Sequence, residues 1–176
     1  MKYVTVFGSA RANRNSEYYK KSIELGRTLA EHGYGVVTGG GPGIMEAVNK
    51  GAFEAGGASV GLNILLPQEQ DLNPYLTESL TFSELSRRKD ALIAKSSAFI
   101  VAPGGFGTLD ELFEVLTLSA TRLRHCKIIL WDTAFWSPLL DFFHARLLRH
   151  GFISPAEMQM FDVCDEMSEI IEKLEE

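Results

Sequence analysis

No apolar run in this 176-residue chain reaches the length a bilayer-spanning helix needs, so a helical membrane protein is excluded. Basic residues are in the minority, 17 against 23 acidic, and form no cluster. A net charge of −6 without a basic run argues against binding a nucleic-acid backbone. Cysteine is scarce. Cys126 and Cys164 lie far apart beside predicted strands and read as buried, reduced thiols, not as a disulfide or metal pair. His32, His125, His144 and His150 are scattered near element ends with no metal-ligand spacing, so no metal site is expected. Internal repeats, low-complexity tracts and linkers are missing, and the length suits one domain over residues 1–176 with a core of its own. Met1-Lys2 leads directly into an apolar strand instead of a signal peptide, so a cytoplasmic protein is expected.

What is present is an alternation of strand and helix patterns. Apolar runs at 2–7, 34–38, 58–62, 98–101, 127–131 and 161–163 read as strands, with a short strand at 80–82. A helix opens at Ser16-Glu17, carries Tyr19, Ile23, Leu25 and Leu29 on one period, and stops at Gly33. Further helices are predicted over 44–55, 84–95, 112–118, 135–149 and 168–174, and 63–73 reads as a polar loop. Ser154-Pro155-Ala156-Glu157 has the form of a capping box with proline at the first helical position. The alternation predicts an α/β fold, a Rossmann-like doubly wound parallel sheet with helices on both faces. Ligands of such sheets sit outside the carboxyl ends of the strands, near a switch in strand order. Three glycine-bearing turns follow strands here, at Gly8-Ser9, at 39–43 and at 104–107, and together they can form one pocket.

The richest of them is Ala102-Pro103-Gly104-Gly105-Phe106-Gly107-Thr108-Leu109-Asp110-Glu111. A strand, a glycine-rich turn and a helix start point backbone N–H groups at an anion. Thr108 is placed to cap the helix or to bond a phosphate, and Glu111 faces the same loop from the helix's first full turn. A carboxylate beside a phosphate cradle points to chemistry on the ligand. The Walker pattern is absent, and none of the three turns meets G-x-G-x-x-G, which weakens a dinucleotide reading.

Gly39-Gly40-Gly41-Pro42-Gly43-Ile44-Met45-Glu46-Ala47, then Arg88-Lys89, then Pro103-Gly104-Gly105-Phe106-Gly107-Thr108-Leu109-Asp110-Glu111 resemble the LONELY GUY (LOG) family. Its members are phosphoribohydrolases that activate cytokinins, long mislabelled "possible lysine decarboxylase". The resemblance spans roughly residues 4–130. It implies a Rossmann-like fold, a homodimer or dimer-based assembly, no cofactor, and hydrolysis of a nucleoside 5′-monophosphate to base and ribose 5-phosphate. By motif position it makes Arg88 and Glu111 the catalytic pair. Asp110 stands where many cytokinin-active members have Glu, and 61–64 with 67–70 looks like a bacterial subgroup less clearly tied to cytokinin. The decarboxylase label fails on chemistry, since no lysine lies in or beside the glycine turns to form a Schiff base.

Cleaving an N-glycosidic bond builds positive charge on the ribose, which a carboxylate near the anomeric carbon stabilises or attacks. Glu111 suits that role. Arg88 balances the phosphate or orients Glu111, and cannot donate a proton at neutral pH. Phosphate and nucleotide contacts are expected from Gly8, Ser9, Gly40, Gly41, Gly43, Glu46, Lys89, Pro103, Gly104, Gly105, Gly107 and Thr108. Each has a plainer reading: Glu111 as a glutamate favoured by the helix dipole, Arg88 as a solvated charge, Thr108 as a cap alone, 39–43 as a tight turn. The alternative function is a carrier that binds a nucleotide or the molybdenum cofactor without turnover, which needs the cradle but not the Arg88–Glu111 pair.

Overall fold

The computed structural model describes residues 1–65 and 71–176. Among these residues seven strands form one parallel sheet: β1 (Lys2–Phe7), β2 (Tyr34–Thr38), β3 (Ser59–Ile64), β4 (Glu78–Phe82), β5 (Ala98–Val101), β6 (Lys127–Trp131) and β7 (Phe161–Cys164). Their spatial order is β4-β3-β2-β1-β5-β6-β7. Among the described residues six α-helices accompany them: α1 (Glu17–Glu31), α2 (Ile44–Glu54), α3 (Leu85–Lys95), α4 (Phe106–Ala120) and α5 (Thr133–Phe142) lie between strands, and α6 (Met167–Glu175) follows β7.

Residue alternation along the strands divides the core in two. Val4, Val6, Val36, Ile100 and Ile129 face one side, where Leu25 and Leu29 of α1, Val48 of α2 and Ile170 of α6 cover them. Their neighbours Phe7, Val37, Phe99, Val101, Ile128 and Leu130 face the other, under Leu92 of α3, Leu112 and Val115 of α4, and Trp136 of α5. Both faces are apolar because both carry helices, as in doubly wound sheets. The buried Trp136 indole N–H donates to the carbonyls of Val101 and Trp131, tying α5 to two strand ends. Cys126 and Cys164 are buried free thiols.

Several boundaries differ from expectation. The helix predicted to begin at Leu112 begins at Phe106, with Gly105 as its N-cap and no side-chain cap bond. Thr108 is therefore inside the helix, not at its cap, and Glu111 is in the second turn. Glycines read as a loop because they disfavour helix, yet the first turn of a helix needs few internal hydrogen bonds and tolerates them. Strand β3 runs on to Ile64 and β4 starts at Glu78, because the two pair with each other from Val60–Glu78 to Ile64–Phe82. That pairing overrides the polar look of Asn63. The predicted helix over 135–149 begins at Thr133 on an Asp132 cap and becomes π-helical over Phe143–Leu148. The Ser154 capping box forms, with Glu157 accepting from the Ser154 backbone N–H, but leads only into a short 3-10 turn at Glu157–Gln159. Residues 67–70, part of the resemblance to a bacterial subgroup, lie outside the described residues.

Candidate functional site

Strand order reverses between β1 and β5, so the chain leaves these two neighbours in opposite directions and a crevice opens at their carboxyl ends. Ser9 stitches the loops there. Its N–H donates to the Pro103 carbonyl at 3.0 Å, and its own carbonyl accepts from the Ile44 N–H at 2.9 Å. All three glycine-bearing turns meet at this one residue.

A cleft of about 590 Å³ lies over the junction. It is lined after β1 by Gly8, Ser9, Ala10 and Arg11, and at the start of α4 by Gly105, Phe106, Gly107 and Thr108. Arg88 and Glu111 line it too, with the apolar side chains of Met45, Ile64, Leu85 and Leu109. A larger cleft of about 700 Å³ lies by Lys2, Ala98 and Lys127, where strands begin. It is lined by the basic side chains of Lys2, Arg122, Arg124, Lys127 and Lys173 and by the carboxyl ends of α4 and α6, away from the glycine-bearing turns and from Arg88 and Glu111. The smaller cleft has the N-terminus of α4 instead.

That terminus has no side-chain cap, so the first N–H groups of α4 have no partner within the helix and face the cleft end. The three glycines before and within it have different reasons. A Cβ on Gly104 would collide with the Thr108 hydroxyl, so Gly104 makes room for a buried neighbour. A Cβ on Gly105 or Gly107 would meet nothing within 4 Å, and neither residue has a positive φ. No neighbour inside the chain crowds those two positions; glycine suits Gly105 as the N-cap, and at both the backbone is left open to the cleft.

Arg88 and Glu111 reach the cleft from α3 and α4. Their side chains are only 11 % and 13 % exposed, and Arg88 Nη1 lies 3.6 Å from Glu111 Oε1, a charge pair longer than a hydrogen bond. Arg88 is fixed from behind, its Nε donating to the Leu62 carbonyl at 2.8 Å. Burial pushes the Glu111 carboxyl up to about 7; Arg88 and Lys89 pull it down, while the charges of Asp110 and Glu114 raise it. Burial also lowers the Arg88 guanidinium, against the pull of Glu111. A carboxyl of this kind is poised between its two protonation states near neutral pH.

Other expected site residues have structural duties. Lys89 is held by Glu114 at 2.8 Å and Asp110 at 3.1 Å, and its ammonium is stabilised chiefly by the bond to Glu114. Glu46 is buried and accepts both Arg14 Nε and Nη2, at 2.9 and 3.1 Å, together with the Tyr19 hydroxyl. Burial disfavours its charge, but these donors hold it below the usual carboxylate range. Glu46 thus anchors the loop after β1. The 39–43 turn lies behind the cleft. The Gly40 carbonyl accepts from the Asn73 backbone, Gly41 from the Asn73 side chain, and Gly43, at φ +69, backs onto Ser9 and Ala10. Below it Thr38, Asn49, Ser59 and Asn73 form a buried hydrogen-bonded chain. Met45 brings this segment to the cleft. Sequence reasoning overlooked the Leu62 carbonyl and the Arg14–Glu46 pair, since no local pattern announces either.

The family model described as "Possible lysine decarboxylase" matches residues 45–174. The chain is 33 % identical to the probable cytokinin riboside 5′-monophosphate phosphoribohydrolase LOGL5 of Oryza sativa subsp. japonica, over 98 % of this chain and 71 % of that one. It is 34 % identical to the cytokinin riboside 5′-monophosphate phosphoribohydrolase of Rhodococcoides fascians, over 94 % of this chain and 85 % of the relative. Among solved structures, the molybdenum cofactor binding protein of Rippkaea orientalis has the same fold, with a TM-score of 0.72 over 99 % of this chain and 95 % of that one, at 21 % identity.

Proposed function

This chain belongs to the LOG family, and from that premise we propose that it hydrolyses the N-glycosidic bond of a nucleoside 5′-monophosphate, AMP or a cytokinin riboside monophosphate, to free base and ribose 5-phosphate. The observation that carries the reading is the pairing of two glycines with open space over them, Gly105 and Gly107, with a buried carboxylate six residues from the cap. The 5′-phosphate binds the free N–H groups of α4, including those of Gly105, Gly107 and Thr108. Phosphate bound there directs the ribose toward Glu111. As the bond from C1′ to the base nitrogen breaks, its electrons leave with the base, and the ionised Glu111 stabilises the positive charge on the ring. Water supplies hydroxide to C1′ and a proton to the base. Arg88 holds Glu111 ionised and offsets the phosphate charge. Met45, Ile64, Leu85 and Leu109 offer the base an apolar wall.

A pyridoxal decarboxylase fits the cleft poorly. Among the described residues its lining includes no lysine, and Lys89 is engaged by two carboxylates. The protein acts as a homodimer in this proposal. Supporting it, Phe106 is 92 % exposed, and Phe113 on the same helix and Leu85 on α3 are exposed, whereas Leu92, Ile93, Leu112 and Val115 pack on the chain's own sheet.

Incubation with each nucleoside monophosphate, scored for free base and ribose 5-phosphate, tests the activity. Glu111→Gln should lose at least about two orders of magnitude in turnover, about 3 kcal/mol of transition-state stabilisation, while still binding AMP. Binding without turnover in the unmodified protein would instead favour a carrier. Light scattering at micromolar concentration tests assembly, since an active 19.5-kDa monomer removes the dimer.

A further inference from the structure

Gly39 follows the last residue of β2, beside the strand that fixes Arg88. Its neighbours Gly40 and Gly43 have positive φ, and Gly39 does not, so its backbone accepts any residue. Space is what it lacks. A Cβ there would overlap the Arg88 Nη2, come within 3.2 Å of Arg88 Cζ, and press Met45 Sδ at 2.8 Å. The guanidinium occupies the volume a side chain would fill, and its Nε is tied to the Leu62 carbonyl on β3.

We propose that Gly39 is a positioning residue: the missing side chain at the end of β2 seats the Arg88 guanidinium, and the Leu62 carbonyl sets its rotation, so that Nη1 faces Glu111. The inference rests on the reading of Arg88 and Glu111 as the working pair. Glu111 is faced by Arg88 and Lys89 from α3 and by Asp110 and Glu114 on its own helix. Displacing one of the two cations leaves the acidic neighbours unopposed on that side and favours the protonated carboxyl.

The test compares the unmodified protein, Gly39→Ala, Arg88→Ala and the double variant. Two quantities are followed: kcat/KM for AMP against pH, and the Glu111 carboxyl titration by carbon-13 NMR without substrate. Gly39→Ala should lower kcat/KM about tenfold or more and move the carboxyl midpoint up by about one pH unit. In the Arg88→Ala background it should leave the carboxyl midpoint unmoved and cost much less in kcat/KM, the remaining loss being that of displacing Met45. An unmoved midpoint in Gly39→Ala, or an equal further loss in the double variant, overturns the proposal. If Gly39→Ala fails to fold, the double variant decides: a folded double variant identifies the clash with Arg88, and an unfolded one assigns the failure to crowding against Met45 and overturns the proposal. Absence of hydrolysis in the unmodified protein would defeat the proposed activity, while the NMR titration would still decide the role of Gly39.

Discussion

Replacing Glu111 with glutamine should make the protein more stable at alkaline pH. The carboxyl has a midpoint of 4.5 in an ordinary setting and about 7 in the fold, where burial disfavours its charge. Between those values the folded chain keeps a proton that the unfolded chain releases, so stability falls as pH rises through the window. At 1.36 kcal/mol per pH unit the full cost is about 3 kcal/mol above pH 9, and it shrinks to about 0.4 kcal/mol at pH 4.5. Glutamine has a similar shape and no charge to desolvate. For a domain of this size each kcal/mol moves Tm by roughly 2–4 °C. Glu111→Gln should therefore melt about 6–12 °C above the unmodified protein at pH 9, and within about 2 °C of it at pH 4.5. Thermal melts by circular dichroism across this range provide the check. A difference independent of pH, or a variant less stable at pH 9, would refute the assignment of a buried, reluctantly ionised carboxylate. The same ionisation should appear in catalysis, with kcat/KM rising with pH through about 7.

Adenosine should be a far poorer substrate than AMP, since each charge-assisted bond lost with the phosphate costs roughly 1.5–3 kcal/mol; comparable cleavage would point to a plain nucleosidase. Gly107→Ala, near the start of α4 with open space around it, should stabilise the free protein by up to about 1 kcal/mol and weaken AMP binding. Melts and AMP titration read both effects, and unchanged affinity would place the phosphate elsewhere. Lys89→Met removes the cation shared by Glu114 and Asp110 and should shift the acid limb of the pH–rate profile upward, because Lys89 helps hold Glu111 ionised. An unmoved limb would show that Lys89 does not influence the reacting carboxyl.

The fold class is legible along the chain because its signals are local. Strands announce themselves by short apolar runs, and α1 by its apolar period between Ser16 and Gly33. The glycine-rich turn after β5 is equally local, which is why a segment near Glu111 stood out before any contact was known. Helix α4 starts six residues before the periodic apolar run that signals it, because Gly105 at its cap and Gly107 in its first turn carry no apolar period and disfavour helix.

The composition of the site was not legible in the same way. Adjacent Arg88 and Lys89 look interchangeable in sequence, yet one is buried against the Leu62 carbonyl and Gly39 while the other is paired with Asp110 and Glu114. Glu46 looked like a candidate for the pocket and instead clamps Arg14 and Tyr19. Glu111's midpoint near 7 depends on how much water its neighbours exclude and on charges brought in from α3. Sequence alone determined which segments form strands, helices and a glycine-rich turn, since periodicity and backbone freedom are properties of neighbouring residues. Only tertiary structure decided which charges are buried, paired or free, because desolvation and Coulomb energy depend on distances between residues far apart in the chain.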